Sequence, residues 1–538
     1  MEYEDLSDYY LDMSNLVDIT LNGESISVNS NKVAVTGIVA TITYGGTYRI
    51  TGTLTDGQII VETNDEEKVT LILNGVDISC SYSAPISVMD SERAVILLAE
   101  DTVNYVSDAS EYVFEADMDE PDACIFSKTD LVIYGDGVLY VDANYNDGIM
   151  SKDGLIIANG IITVDSVDDG IRGKDYIIIK DCDLTLNVEG DGLKSDNDED
   201  TTKGFIAIDQ GSIDITSGGD AIQAETKVTI LDGCFTLTTG GGSRKRLDED
   251  LSAKGIKADV SVEISGGEFT IDAGDDAIHS NQDMIIAGGV FDIATGDDGF
   301  HADSYLQIDY GVIVISDSYE GIESAVITIN DGEISIISSD DGINVASGND
   351  GSGIRPRPGG RDFFSYSSNN YFYMNGGYVF VDALGDGIDI NGGVVMTGGT
   401  LIINGPTSNR NGALDYDGGF KMTGGYLIAV GSSGMAQAPD SSSTQYSILV
   451  NMRTSVQAGT IIHLETSSGE EIFSFTPTKW CQSIVFSSSE LEKGTSYVLY
   501  LEGSSTGESI NGLITDGEYT PGSKYTSFTI TSTITRNG

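Results

Sequence analysis

Carboxylates recur in this chain inside one short phrase. An acidic residue or pair is followed by Gly or Ala, then an apolar residue, then a polar one. The clearest copies are Asp168-Asp169-Gly170-Ile171-Arg172 and Gly190-Asp191-Gly192-Leu193-Lys194. Others are Asp147-Gly148-Ile149, Asp220-Ala221-Ile222, Gly255-Ile256-Lys257, Asp275-Asp276-Ala277-Ile278-His279 and Asp297-Asp298-Gly299-Phe300-His301. The phrase returns at Glu320-Gly321-Ile322-Glu323, Asp340-Asp341-Gly342-Ile343-Asn344 and Asp386-Gly387-Ile388-Asp389. Two chemistries fit these residue types. Clustered carboxylates suit calcium, which takes roughly six to eight hard oxygens in loose geometry. Asp168, Asp169, Asp191 and Asp196 make one candidate site, and Asp275, Asp276, Asp297 and Asp298 another. A base beside such a metal is what elimination from an acidic sugar requires, since the cation stabilises the enolate-like charge while the base removes the α-proton. Arg172, Lys194 and Lys257 are the candidates for that base. The plainer readings stand beside these. Asp-Gly is favoured by turn geometry, with the carboxylate capping turn amides. A lysine among carboxylates is more often an ion pair, and those carboxylates oppose the deprotonation a base needs.

The phrase repeats about every 22 residues where no loop intervenes, and such a period marks a solenoid. LVIYGDGVLYVDANYNDGIMSKDG, LIIANGIITVDSVDDGIRGKDY and IIIKDCDLTLNVEGDGLKSDND each hold three short strands with turn residues between them. Units this small cannot bury a face alone, but stacked at ~4.8 Å they share one core. The expected fold is all-β, a parallel β-helix of three-strand coils. A propeller blade needs ~40 residues, and the Leu and Asn pattern of leucine-rich repeats is missing. Strand alternation points the apolar residue after Gly inward and the next residue outward. The outward column then reads Met150, Arg172, Lys194, Gln223, Lys257, His279, His301, Glu323, Asn344, Asp389. Such a column forms a groove in which Arg172, Lys194, Lys257, His279 and His301 are candidates for contacting a sugar chain.

Along the chain, residues 1–53 read as a lead-in and cap strands, and 54–430 as the solenoid. Residues 431–446 are a connection, and 447–538 a small antiparallel β unit closing the C-terminal end. Two insertions interrupt the period, at 243–254 and 347–371. The second places Arg355, Arg357 and Arg361 beside Phe363, Phe364, Tyr366, Tyr371 and Tyr373. Aromatic faces stack on sugar rings and the Arg fork donates to carboxylates. Arg355, Arg357, Phe363, Phe364 and Tyr366 are therefore carbohydrate-binding candidates; the alternative is a loop folded back on its own solenoid.

Eighty-five acidic residues against 27 basic ones give a net charge of −58. That field repels nucleic acid and anionic membranes and attracts divalent cations. No apolar run approaches the ~18 residues of a membrane span. The five cysteines form no metal-type spacing and suggest mostly buried thiols, with room for one disulfide. MEYEDLSDYYLDMS lacks the basic start and apolar middle of a signal peptide. The acidity favours an exported protein whose leader is absent from this numbering over a cytoplasmic one.

The motifs YNDGIMSKDGLII, DDGIRGKDYIIIKD, GDGLKSDNDED, GDAIQAETKVTI, SAKGIKAD, DDGFHADS, YEGIES and DDGINVA resemble the carbohydrate-binding parallel β-helix family of clostridial cell surfaces. The resemblance runs from about Leu54 to about Ala346 and loosens beyond residue 350, where the Arg-aromatic insertion departs from it. It implies a right-handed helix of the pectate-lyase type, calcium at the Asp clusters, and binding of cellulose-like or acidic pectin-like polysaccharide without cleavage. It also implies a secreted or cell-surface location. Two other readings remain open: a calcium-dependent pectate-type lyase, and a structural surface protein that self-associates into filaments.

Overall fold

The computed structural model describes residues 9–64, 67–114, 119–248, 251–346 and 367–537. Among these there is no α-helix, and the chain divides into two compact units, Met1–Ser280 and Asn281–Gly538. The candidates Arg355, Arg357, Phe363, Phe364 and Tyr366 lie outside the described residues.

Each coil of the first unit contributes one strand to each of three columns, and strands in a column pair in parallel with the next coil. Leu131–Tyr134, Val138–Ala143 and Asp147–Ser151 form one coil; Gly154–Ala158, Ile161–Ser166 and Ile171–Gly173 form the next. Between these coils the register is without slip: Leu131 pairs with Leu155 and Leu155 with Ile177 in the first column. In the third, Ile149 pairs with Ile171 and Ile171 with Leu193. The alternation in sequence becomes alternation in burial, as in Cys182–Val188, where every second residue is buried and the rest are exposed. The inward residues Ile149, Ile171, Leu193, Ile222, Ile256 and Ile278 are all 0% exposed. Burial of each such side chain favours folding by about 1.5–3 kcal/mol, and stacking one per coil makes the core continuous. The all-β parallel helix is the architecture read from the period.

Parallel stacking begins earlier than residue 54. Val17–Gly23 already pairs in parallel with Gly46–Leu54, and Val39–Ile42 with Gln58–Glu62. The cover is made by two short antiparallel strands: Ile26–Val28 folds back on Val17–Gly23, and Val33–Thr36 on Val39–Ile42. An open coil would present unpaired backbone there.

The second unit repeats the three columns. Its third column pairs Phe300 with Ile322, Ile322 with Ile343, Ile343 with Ile388, and Asp389 with Asp415. The helix ends where Tyr426–Gly431 pairs antiparallel with Cys481–Ser487. A six-stranded antiparallel sheet follows, built from Ile462–Thr466, Glu471–Phe475, Ser496–Ser505, Glu508–Ile510, Leu513–Thr515 and Tyr519–Thr529. Phe473, Phe475, Phe486, Tyr497 and Leu499 form its core together with Ile428 and Val430 of the last coil. All five cysteines are free; Cys80, Cys124, Cys182 and Cys481 are buried and Cys234 is exposed. No helix is long and apolar enough to cross a membrane among the described residues.

Candidate functional site: a carboxylate ladder and an exposed tyrosine pair

The recurring Asp stands at the turn that enters the third column, and its two oxygens have separate partners. In the first unit, one oxygen accepts a backbone N–H from the following coil. Asp169 N–H donates to Asp147 Oδ1 at 3.3 Å, Asp191 N–H to Asp169 Oδ1 at 2.9 Å, and Asp220 N–H to Asp191 Oδ1 at 2.7 Å. Lys254 N–H then donates to Asp220 Oδ1 at 2.7 Å. The carboxylates therefore cap amides, as turn chemistry suggests, but the amide belongs to the next coil. The glycines serve the same stacking. Neither Gly170 nor Gly192 has a left-handed φ; a Cβ on Gly192 would lie 2.5 Å from the Ala221 carbonyl oxygen. Close approach between coils, more than turn geometry, accounts for Asp-Gly here.

The other oxygen faces the basic residues of the outward column. Lys194 Nζ lies 3.1 Å from Asp169 Oδ2 and 2.8 Å from Asp191 Oδ2. Arg172 holds Asp196 at 2.5 Å and reaches Asp147 Oδ2 at 3.6 Å. Lys257 is 3.7 Å from Asp220 Oδ2. Lys254 sits 2.8 Å from Asp275 and 2.7 Å from Asp276. His279 Nδ1 also meets Asp276 at 2.8 Å. Burial pushes the Asp147 carboxyl up to about 8, Asp169 adds to the shift, and Arg172 only partly offsets it. Burial likewise raises Asp169 and Asp220 against the pull of Lys194 and Lys257. Burial alone would lower Lys194, but Asp191 and Asp169 outweigh it and hold the ammonium above lysine's ordinary range. Arg172 is held up in the same way by Asp196 and Asp147.

These positions bear on every candidate read from the sequence. Asp168, Asp169 and Asp147 do bring carboxylate oxygens within 4.8 Å of one another. Asp169 and Asp191, however, close on the Lys194 ammonium, and Asp196 closes on Arg172. Asp275 and Asp276 close on Lys254. In these sets a side-chain cation stands beside the carboxylates, while Asp275, Asp276 and Asp297 also bring carboxylate oxygens within 4.8 Å of one another. The DNDED loop turns its polar groups on itself: Asn197 Oδ1 accepts the amides of Glu199 and Asp200. Lys254 was not singled out from the sequence. It occupies the place in SAKGIKAD where other coils carry the acid, and that substitution is the signal.

In the second unit the ladder continues with different partners. Asp298 holds His301 Nδ1 at 2.9 Å, and Asp303 lies 3.2 Å from His301 Nε2. Asp386 N–H donates to Asp341 Oδ1 at 2.5 Å, and Gly412 N–H donates to Asp386 Oδ1. Asn344 Nδ2 donates to Glu320 Oε2 at 2.8 Å. Among the described residues no lysine or arginine pairs with Glu320, Asp341 or Asp386. Burial pushes Asp386 up to about 8; the Gly412 amide pulls it down, while Asp389 adds to the rise. Glu320 and Asp341 are also raised well above the ordinary carboxylate range, first by burial and then by neighbouring carboxylates.

The outward column is not an open groove. Met150 is 1% exposed and packs with Ala84, Ala123 and Phe126; His301, Glu323 and Asn344 are 4%, 1% and 3% exposed. Arg172, Lys194 and Lys257 are part-buried in their ion pairs. An exposed apolar surface of the kind that meets sugar rings lies instead on the second column. Tyr105 and Tyr140 are register partners with ring centroids 5.1 Å apart and planes 11° apart. They are 49% and 40% exposed. Below them the row continues as Thr163, Thr185 and Asp214, and beside it runs Asp142, Asp165, Asn187 and Thr216. The signal was present in VNYVS and VLYVDA, whose alternation puts Tyr outward at the same place on successive coils.

A family model described as carbohydrate-binding domain-containing protein matches residues 36–299. A carbohydrate-binding domain-containing protein of Acetivibrio thermocellus is 44% identical over 221 residues, which is 41% of this chain and 75% of that relative. The chain belongs to the carbohydrate-binding domain-containing family. A solved structure of the polysaccharide lyase-like protein from C. thermocellum, a gadolinium derivative, is 30% identical to it. That alignment covers 48% of this chain and 94% of the other, with a TM-score of 0.39. The matched stretch of this carbohydrate-binding domain-containing chain, 36–299, carries the lysine- and arginine-paired part of the ladder and the Tyr105–Tyr140 pair. Residues 320–389 fall beyond it.

Proposed function

We propose that this chain is a non-catalytic, extracellular or cell-surface carbohydrate-binding protein for plant cell-wall polysaccharide, cellulose-like or acidic pectin-like, with calcium as its cation. The observation that carries the reading is the flat Tyr105–Tyr140 pair exposed on a chain of this family. Parallel rings present a platform on which sugar faces stack, and the neighbouring Thr, Asn and Asp rows supply hydrogen-bonding groups of both kinds. The surface runs along stacked coils, so it suits an extended chain better than a single sugar. The net charge of −58 disfavours nucleic acid as an alternative partner. Lys194 supports a non-catalytic reading. Its ammonium lies between Asp169 and Asp191, which hold it protonated, and a proton-abstracting base must be free of its proton.

The test is binding of the full chain to a panel of soluble and insoluble plant polysaccharides, with ultraviolet absorbance of unsaturated products followed in the same samples. Retention on cellulose or pectin that Tyr105→Ala/Tyr140→Ala weakens, with flat absorbance, is the expected result. Growing absorbance that Lys194→Ala abolishes would replace the reading with a lyase.

A further inference from the structure

The second unit carries a trough on a face that the acid ladder does not use. It follows the turn between the first and second columns. The residue that opens the second-column strand reads, coil by coil, Val290, Val312, Glu333, Tyr378, Thr400 and Tyr426, each the register partner of the next. At ~4.8 Å per coil the row spans about 24 Å. A glycine precedes each of these residues. A Cβ on Gly377 would lie 2.8 Å from the Gly332 carbonyl oxygen, so close stacking of the coils requires the glycines. They also leave the turn without a side chain to fill it. Two cavities lie along the row. One, of about 400 Å³, is lined by Tyr310, Gly311, Gly332, Glu333, Gly377 and Tyr378. The other, of about 730 Å³, is lined by Tyr378, Thr400 and Tyr426 and, from the C-terminal sheet, by Glu471, Glu490 and Asp516. Tyr378 borders both.

The walls suit a sugar chain. Tyr310 is 61% exposed. Tyr378 and Tyr426 are held in place by packing against the core of the C-terminal sheet, Tyr426 edge-on to Phe486 with centroids 5.3 Å apart. On the other side of the glycines Asp309, Asn330, Asn375 and Thr397 are hydrogen-bonded from coil to coil, at 2.7, 2.9 and 2.9 Å. Rings on one side and fixed amides and hydroxyls on the other offer stacking and hydrogen bonding together. Charge then selects among glycans. Glu333, Glu471, Glu490 and Asp516 can accept hydrogen bonds from sugar hydroxyls but repel uronate carboxylates, and no lysine or arginine lines either cavity.

We propose that this trough and the cavity at its end bind one uncharged polysaccharide chain lying along the stacked coils. It is a second glycan site. Apart from Val290 it lies beyond residues 36–299, which the family model matches. That the ligand is a glycan rests on the carbohydrate-binding reading; the site itself does not depend on the Tyr105–Tyr140 pair.

Calorimetric titration of the full-length chain with hexasaccharides of β-linked glucose, xylose and mannose, and with hexagalacturonide, tests it. Tyr105→Ala/Tyr140→Ala is the background, which removes the platform of the first unit. In that background at least one of the neutral hexamers should bind, and hexagalacturonide should not compete with it. Adding Tyr310→Ala, the loss of an exposed ring, should weaken that binding about five-fold, with circular dichroism checking the fold. Neutral binding in the background that Tyr310→Ala leaves unchanged would overturn the proposal, as would hexagalacturonide bound there equally well. The two sites fail separately. A wild type that binds and a background that does not would leave the platform and sink the trough. Equal binding by wild type and background, weakened by Tyr310→Ala, would sink the platform and keep the trough. No binding by either would sink both.

Discussion

Two stretches of the acid ladder carry the same turn phrase and reach electrical balance differently. Between Asp147 and Asp276 the buried carboxylates meet Arg172, Lys194, Lys257 and Lys254. Between Glu320 and Asp389 the outward positions are Glu323, Asn344 and Asp389, and the acids Asp341 and Asp386 have only amide donors among the described residues. The backbone device is common to both: a carboxylate oxygen on the next coil's amide. What differs is the cation, which stands two places after the glycine in Arg172, Lys194 and Lys257 and just before it in Lys254. Charge balance in a solenoid is thus set coil by coil, and a single fold carries both solutions.

The largest effect that separates the two comes from removing a built-in cation. Lys194→Met leaves buried Asp169 and part-buried Asp191 without their partner. Such a loss costs about 3–5 kcal/mol, and urea unfolding should show the midpoint falling accordingly. Calcium should not rescue wild-type-like stability if the two stretches balance charge as described. Next in size is calcium itself. At a hundredfold excess over Kd it should stabilise the protein by about 2.7 kcal/mol, seen as a rise in Tm that a chelator reverses.

A third effect is spread over pH. Asp147 is 0% exposed and its pKa rises to about 8 when folded, from about 3.9 unfolded. Between those values the folded state binds the extra proton. Stability is therefore fully present below about pH 4 and is lost as pH rises through about 8, with a slope of at most about 1.4 kcal/mol per unit. Asp147→Asn keeps the acceptor for the Asp169 amide and removes the titration. The stability of wild type relative to this variant should fall from pH 5 to pH 8 in denaturant titrations. The smallest effect concerns the surface. Tyr105→Ala/Tyr140→Ala should lose about 1 kcal/mol or more of polysaccharide binding, read as retardation in affinity gels, with Tm nearly unchanged because both rings are exposed.

The fold was legible because two periods coincide in the sequence, the two-residue alternation within strands and the ~22-residue return of Asp-Gly-Ile. Ile149, Ile171 and Leu193 could be placed inward from alternation alone. Cap strands were expected within residues 1–53, but the antiparallel pairing of Ile26–Val28 and Val33–Thr36 was not specified, because antiparallel return and parallel stacking share the same alternation. At the site, the outward column was read correctly as a column but not in its surroundings. Whether Arg172 or Lys194 faces a groove or a neighbour's carboxylate depends on the previous coil, which spacing does not specify. Met150 illustrates the same point, being covered by Phe126 of the preceding coil. Lys254 escaped notice because the insertion before it hides its place in the acid series. Tyr105 and Tyr140 are not marked by the charged phrase, because the ring pair lies on a different column.

One feature of the ladder bears on how the chain is made. Asp147, Asp169, Asp191 and Asp220 each receive an amide from a coil that comes later in the sequence, and Asp147, Asp169 and Asp220 a cation as well: Asp147 from Asp169 and Arg172, Asp169 from Asp191 and Lys194, Asp220 from Lys254 and Lys257. A ribosome emits the chain from its N-terminus at about 5–20 residues per second, so a coil of about 22 residues takes on the order of one to a few seconds. Throughout synthesis the newest coil carries a bare carboxylate until its successor arrives. The growing tip is always the least settled part of the nascent helix, and each new coil arrives carrying what the last one lacks.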